Sequence, residues 1–397
     1  MSVKTNKKPK TNLVHAGRYP HDNHGVVNPP VYHASTILQP SLDAFEAARK
    51  SDWTGYRYGR RGTPTTRAFE EAVAAVYEAD GCVAVSSGLA AVTNGILACV
   101  KPGDHILMTD NVYGPARNFA NGFLNKFGIE TTFFDPLIGS DIKTLFNDNT
   151  VAVYTEAPGS QTFEISDIPA IAEAAHQIGA VVLMDNTWAS ALYFDAFNKG
   201  VDIVIEAVTK YICGHSDVMM GVIVANQDWS DATREMAQMH GNVSGPDDLY
   251  LAQRGLRTMA VRMEQNQENG IKLATWLEGR PEVKRVLHPA LKSDPGHHIW
   301  KRDFKGASGL FSFVLNDGYS RSALAAMLDG LELYGMGASW GGFESLIIPA
   351  GPQDYRTATS WDEKGQLLRV HAGLEDIDDL ISDLGAGLDR LTSIASI

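Results

Sequence analysis

Three short segments of the chain carry residue types that could do chemistry together. The first is Thr209-Lys210-Tyr211, just after the apolar run Ile203–Ile205. Burial disfavours an ammonium, so a lysine at the end of a buried strand has a lowered pKa and becomes a nucleophilic amine able to form a Schiff base. The plainer reading is a lysine that snorkels to the surface. The second segment is Asp185-Asn186-Thr187, at the carboxyl end of the apolar run Val181–Met184. A carboxylate there can bind a cationic ring nitrogen, although an isolated Asp in such a place is more often a cap or turn residue. The third is Ser86-Ser87-Gly88-Leu89-Ala90-Ala91, a small-residue turn from strand to helix. Its free backbone N–H groups and the helix dipole suit a phosphate. The turn matches neither GxGxxG nor Walker A, which disfavours a nucleotide.

Taken together, a phosphate cradle, a strand-end carboxylate and a strand-end lysine are what pyridoxal 5'-phosphate (PLP) requires. The cradle holds the phosphate, the carboxylate keeps the pyridine nitrogen protonated, and the lysine carries the aldehyde. A flat aromatic stacked on the ring would complete the set. Tyr113, in Asp110-Asn111-Val112-Tyr113-Gly114, follows the expected strand 105–108 and suits that place. Its plainer role is a loop tyrosine packed on the surface.

The elements that must position these residues read as α/β. Apolar runs at 82–85, 105–108, 131–134, 151–155, 181–185, 203–208 and 221–225 alternate with helical patterns, which predicts a mainly parallel seven-stranded sheet covered on both faces. Sites in such sheets form at the carboxyl ends of the strands. Thr65 and Thr66 are expected to cap a helix carrying Phe69, Val73, Val76 and Tyr77. Residues 246–278 read as one long helix with the stripe Leu249, Ala252, Leu256, Met259 and Met263, able to bridge two domains. Beyond it, runs at 308–315, 331–335, 345–348 and 367–371 and a final amphipathic helix predict a smaller α/β domain with an antiparallel sheet. Residues 1–60 show little periodicity and read as an extended arm, which divides the chain into 1–60, a large domain 61–257 and a small domain 258–397.

Composition narrows the classes. The chain has 397 residues, 44% of them hydrophobic and 20% charged, with a net charge of −13. That is globular composition, and the acidic balance argues against nucleic acid. The one basic run, Lys4, Lys7, Lys8 and Lys10, reads as a solvated tail. No apolar stretch is long enough to predict a membrane span, and no signal-peptide core precedes the regular pattern. Three cysteines without CxxC spacing and 12 scattered histidines predict neither disulfides nor a metal site, and point to the cytoplasm.

Several longer motifs, in order, resemble a known family. They are Leu13-Val14-His15-Ala16-Gly17, Tyr58-Gly59-Arg60-Arg61-Gly62-Thr63-Pro64-Thr65, Ser87-Gly88-Leu89-Ala90, Asp185-Asn186-Thr187-Trp188, Thr209-Lys210-Tyr211 and Gly214-His215-Ser216-Asp217. Ser339-Trp340-Gly341-Gly342-Phe343-Glu344-Ser345 and Arg369-Val370-His371-Ala372-Gly373-Leu374-Glu375-Asp376 complete the series. Over nearly its whole length the chain resembles the Cys/Met metabolism group of PLP enzymes, fold type I, and most closely the bacterial branch that cleaves cystathionine by β-elimination. The resemblance implies that Lys210 carries the cofactor and that Asp185 pairs with the ring nitrogen. Tyr113 would stack on the ring and assist proton transfer. Gly88, Leu89 and Thr209 would hold the phosphate, and Tyr58 and Arg60 would reach the phosphate of a neighbouring subunit in a homotetramer. Arg369 would clamp the substrate carboxylate, and Ser339 and Trp340 would line the pocket.

Two departures favour β-elimination over γ-chemistry. Glu156-Ala157-Pro158-Gly159-Ser160 stands where γ-acting relatives carry a Pro-x-Asn-Pro-type segment, and Ser339-Trp340-Gly341-Gly342 stands where they tend to carry Ser-Leu-Gly-Gly. Ala207 replaces a phosphate-binding Ser of many relatives, and Ala338 replaces an aromatic of some β-lyases. The alternatives are a γ-lyase, γ-synthase or sulfhydrylase of the same group, a PLP-free binding protein on the same fold, and a metal-dependent hydrolase.

Overall fold

A computed structural model describes residues 7–50 and 54–395. Lys4, in the amino-terminal basic run, lies outside them. Strands β1 (Gly81–Val85), β2 (His105–Thr109), β3 (Glu130–Phe134), β4 (Thr150–Glu156), β5 (Val181–Asp185), β6 (Ile203–Glu206) and β7 (Gly221–Ala225) form one sheet in the order β1-β7-β6-β5-β4-β2-β3. Strand β7 runs antiparallel to β1 and β6, and the remaining pairs are parallel. This is the mainly parallel sheet expected from the sequence.

Both faces of the sheet are covered because successive side chains alternate between them. Leu107, Val153, Val182, Met184 and Val204 enter one core, with Phe69, Val73 and Val76 of the helix Pro64–Tyr77. Ile106, Met108, Tyr154, Leu183, Ile203 and Ile205 enter the other, with Val92 and Ile96 of the helix Gly88–Leu97. The cap of Pro64–Tyr77 is Thr63, not Thr65 or Thr66: its side chain accepts the Thr66 N–H, and Pro64 takes the first helical position.

The second sheet contains β8 (Val283–Leu287), β9 (Leu310–Leu315), β10 (Tyr334–Gly335), β11 (Ser345–Ala350) and β12 (Leu367–His371), in the order β10-β11-β12-β9-β8. All its pairs are antiparallel except β10 with β11. The sequence pattern misses β8, an edge strand whose Lys284 and Arg285 point to solvent and break the apolar run. It also overextends β10 and β6. At β10 the Asp383 carboxylate takes the backbone N–H groups of Glu332 and Leu333, so they do not join the sheet. At β6 the chain turns after Glu206.

The helix Pro246–Glu278 has the expected bounds. Leu249, Leu256 and Met263 pack in the first core, while Leu273 and Leu277 pack in the core of the second sheet. It runs unbroken through positions 257 and 258, where the sequence pattern divides the chain. The first 60 residues are not extended throughout. Pro9–His15 is helical and Leu13 is buried, because Asn12 donates to the Ala75 carbonyl and Arg257 donates to the Leu13 carbonyl. One anchoring leucine is too little to show as periodicity. Leu42–Ala47 forms a further short helix capped by Ser41. Among the described residues no helix is long and apolar enough to cross a membrane.

Candidate active site

The carboxyl edge of the large sheet collects most of the residues singled out from the sequence. Glu156 ends β4 and Asp185 ends β5. The turn Ala207–Lys210 follows β6, the turn Ser86-Ser87 follows β1, and Tyr113 follows β2. The second sheet contributes Arg369 from β12 and the loop with Ser339 and Trp340.

Ser339 joins the two sheets at this point. Its Oγ accepts from Lys210 Nζ at 2.5 Å, and its carbonyl accepts from Arg369 at 2.9 Å. Its φ of 86° lies in the left-handed region, a conformation that costs a serine about 1–3 kcal/mol. Two cationic partners on one residue offset that strain. Gly341 is also left-handed, at φ 82°, and a Cβ there would stand 3.1 Å from the Lys210 backbone. Trp340 closes the other side of Lys210, with Nζ 5.2 Å from the ring centroid.

Desolvation, reinforced by Arg369 and opposed by Asp185, lowers the Lys210 amine to about 8. The Arg369 guanidinium is lowered by burial to about 10. Its one side-chain hydrogen bond among the described residues goes to a neutral carbonyl, and it enters no ion pair there. A half-buried guanidinium fork without a carboxylate suits a carboxylate ligand.

Asp185 Oδ1 accepts the Thr187 N–H at 3.0 Å and its hydroxyl at 2.5 Å. Burial raises the Asp185 pKa, while those two donors and Lys210 pull it back. The Thr187 hydroxyl oxygen also accepts the Ala207 N–H at 2.9 Å, which ties the turn before Lys210 to Asp185. Tyr113 is about half exposed, and burial with Asp185 and Glu156 nearby raises its phenol.

Ser87 caps the helix Gly88–Leu97 by accepting the Ala90 N–H. The amides of Gly88 and Leu89, in the first turn, have no helical acceptor. A Cβ on Gly88 would stand 2.8 Å from the Ala207 Cβ, so the helix start and the turn after β6 are in close contact. The Thr209 hydroxyl donates to the Met220 carbonyl and accepts the Met220 N–H, so it must leave the carbonyl before it can donate to a phosphate. Tyr58 and Arg60 are not brought to this edge. Arg60 donates to the Gln238 carbonyl and lies 5.9 Å from the Tyr58 ring centroid, and among the described residues no hydrogen bond, ion pair or ring contact joins either residue to Lys210, Asp185, Gly88 or Leu89.

Sequence reasoning passed over Glu156 and Asp110. Glu156 is the charged end of an apolar strand, the same signal that marked Asp185. Buried Asp110 accepts the N–H groups of Thr357, Ala358 and Thr359 and pairs with Arg117, which pins a segment of the second sheet's connections beside the Tyr113 loop. No local pattern could show that, because its partners lie far along the chain.

The family model described as Cys/Met metabolism PLP-dependent enzyme matches residues 10–389. The chain belongs to this family. Its relatives include the cystathionine beta-lyase of Salmonella typhimurium, 45% identical over 98% of this chain and 100% of the relative. The L-alanine/L-glutamate racemase of Wolbachia pipientis is 42% identical over 97% of this chain and 98% of the relative. Among solved structures, metB from Corynebacterium glutamicum superposes with a TM-score of 0.90 at 33% identity, over 97% of this chain and 99% of that one. The family's cofactor is PLP, and the residues present fit it: a cradle of backbone amides that a Gly88 Cβ would crowd, a strand-end carboxylate with strong donors on one oxygen only, and a partly desolvated amine.

The lowered amine sets a pH dependence. Below about 8, Lys210 is an ammonium and cannot attack a carbonyl. Covalent capture of PLP by cofactor-free protein is expected to speed up with rising pH and level off near 8; a steady rise through 10 would contradict the burial of this amine. The same shift affects stability. Between about 8 and the ordinary lysine value, the folded chain has lost a proton that the unfolded chain keeps, so Lys210 makes stability rise with pH in that window.

Proposed function

We propose that the chain catalyses β-elimination of L-cystathionine to L-homocysteine, pyruvate and ammonia, a carbon–sulfur lyase step toward methionine. The observation that carries the amino-acid part is the Ser339 bridge, which sets an amine and a carboxylate-binding guanidinium side by side. The choice of cystathionine rests on the relatives named for that reaction. When bound, PLP supplies the electron sink that stabilises negative charge at the substrate Cα. Arg369 binds the α-carboxylate and orients Cα. Lys210 Nζ, steered by Ser339 Oγ and Trp340, takes the Cα proton. Asp185 holds the proton at the ring nitrogen, with Thr187 fixing its other oxygen. Tyr113 packs on the ring and assists proton transfer, Gly88, Leu89 and Thr209 hold the phosphate, and the reaction runs in the cytoplasm. Incubation with L-cystathionine should give pyruvate and homocysteine; 2-oxobutyrate and cysteine would assign a γ-lyase instead.

A second reading, amino-acid racemisation, is favoured by the similarity to the Wolbachia pipientis racemase. It requires D-alanine or D-glutamate to accumulate from the L-amino acid, which chiral chromatography of the holoenzyme would detect; L-alanine and L-glutamate both left unchanged would dismiss it.

We also place each site between two subunits of a homotetramer. Leu38 is 87% exposed and Leu42 71%, so the arm presents apolar surface that a second copy can cover. Burial and the nearby charges of Arg57 and Arg60 lower the Arg61 pKa against an opposing pull from Glu235, and none of the three arginines forms a close ion pair among the described residues. The phosphate of a neighbouring site would supply an anion in direct contact. Arg60→Ala then damages the neighbour's site, and Lys210→Ala damages its own. Mixed dimers carry both lesions in one site and keep the other intact, so co-expression should restore up to about half of the wild-type activity per mixed dimer. An impaired Arg60→Ala that regains nothing on mixing would place Arg60 in its own chain's site.

A further inference from the structure

Glu156 has no part in the reading above, yet its place is as specific as that of Asp185. It ends β4 as Asp185 ends β5, and the two stand opposite each other as the last register pair of these parallel strands. Parallel neighbours lie about 4.8 Å apart and paired residues share a face, so two carboxyl groups sit side by side on this edge. They bind different partners. Asp185 takes both donors of Thr187, whereas Glu156 Oε2 accepts the backbone N–H of Tyr113 at 2.7 Å. Tyr113 precedes the helix Gly114–Phe119 with the non-helical angles φ −46° and ψ 127° and makes no side-chain cap. Its N–H therefore gains nothing from that helix, and Glu156 is what fastens it. Pro115 at the start of the helix holds the chain direction beyond this point.

We propose that Glu156 is the positioning residue for Tyr113: as a neutral hydrogen-bond acceptor it fixes the tyrosine's loop to the strand end beside Asp185. Two adjacent carboxyl groups at a partly buried strand edge resist ionising together, and here desolvation and the Asp185 charge push Glu156 well above the usual carboxylate range. Asp185 is the one with strong donors and nearby Lys210, so it keeps the charge and Glu156 keeps the proton. A protonated carboxyl still accepts at its carbonyl oxygen, which is the geometry seen at Tyr113. The proposal rests on the reading of Tyr113 and Asp185 as cofactor residues.

The test titrates PLP into cofactor-free Glu156→Gln, Glu156→Ala and Tyr113→Ala protein, and reads the Kd and the visible circular dichroism of the bound cofactor. Gln keeps a neutral acceptor, so its Kd should stay within about twofold of wild type with the dichroic band intact. Ala leaves the Tyr113 N–H without its partner, so Kd should rise about tenfold and the band should shrink, with the far-ultraviolet spectrum unchanged. Equal damage in Gln and Ala, or a wild-type Kd and band in Ala, overturns the proposal. Should Ala not fold, Gln decides alone: wild-type behaviour supports the acceptor role and loss of the band overturns it. Tyr113→Ala separates the two layers. If it alters the band while Glu156→Ala does not, only the Glu156 proposal fails; if neither does, the reading of Tyr113 fails.

Discussion

Lys210→Ala should lower turnover of L-cystathionine by about 10⁴-fold or more. In the proposed reading Lys210 is both nucleophile and general base, so its removal forfeits both contributions, and a positioned base alone is worth about 10²–10⁴. Among the described residues the side chain makes one hydrogen bond, to Ser339, and packs against Trp340, so its loss leaves the strands around it intact. The variant should fold, as far-ultraviolet circular dichroism would show, and a high concentration of a small primary amine should restore part of the rate. Turnover within about tenfold of wild type would move the chemistry to another group.

Arg369→Ala should keep the bound-cofactor spectrum and lose about 2–4 kcal/mol of transition-state binding, seen as a fall of about 10²–10³-fold in kcat/KM. The half-buried guanidinium meets one neutral carbonyl and no carboxylate among the described residues. The desolvation that lowers its pKa to about 10 is offset when a carboxylate arrives. Arg369→Lys should recover only part of the loss, because an ammonium cannot make the bidentate pair. A purely structural arginine would instead lower Tm with near-normal kcat/KM.

The sequence shows some of this site and hides the rest for physical reasons. Asp185 is legible because it ends an apolar run, and Lys210 because it closely follows one, in places where an ionisable group is costly unless it serves a purpose. The long helix is legible because Leu249 to Met263 keep helical spacing throughout. Glu156 carries the same signal, but Ala157-Pro158-Gly159 directly after it reads as a plain turn. Ser339 shows nothing of its bridging role, since a left-handed serine looks like any other serine, whereas Gly341 announces its own conformation. Asp110 binds a segment some 250 residues away, a contact that only the packed fold brings about. Tyr58 and Arg60 stand out by resemblance alone, and a single chain does not bring them to the site.

The most direct test of the central claim, that this sheet edge is a PLP site built on Lys210, is borohydride reduction of the purified holoenzyme followed by peptide mapping. The account predicts one pyridoxyl group per chain, on the Lys210 residue of the Thr209-Lys210-Tyr211 peptide. Recovery of the label on any other lysine, or spread over several, would contradict it.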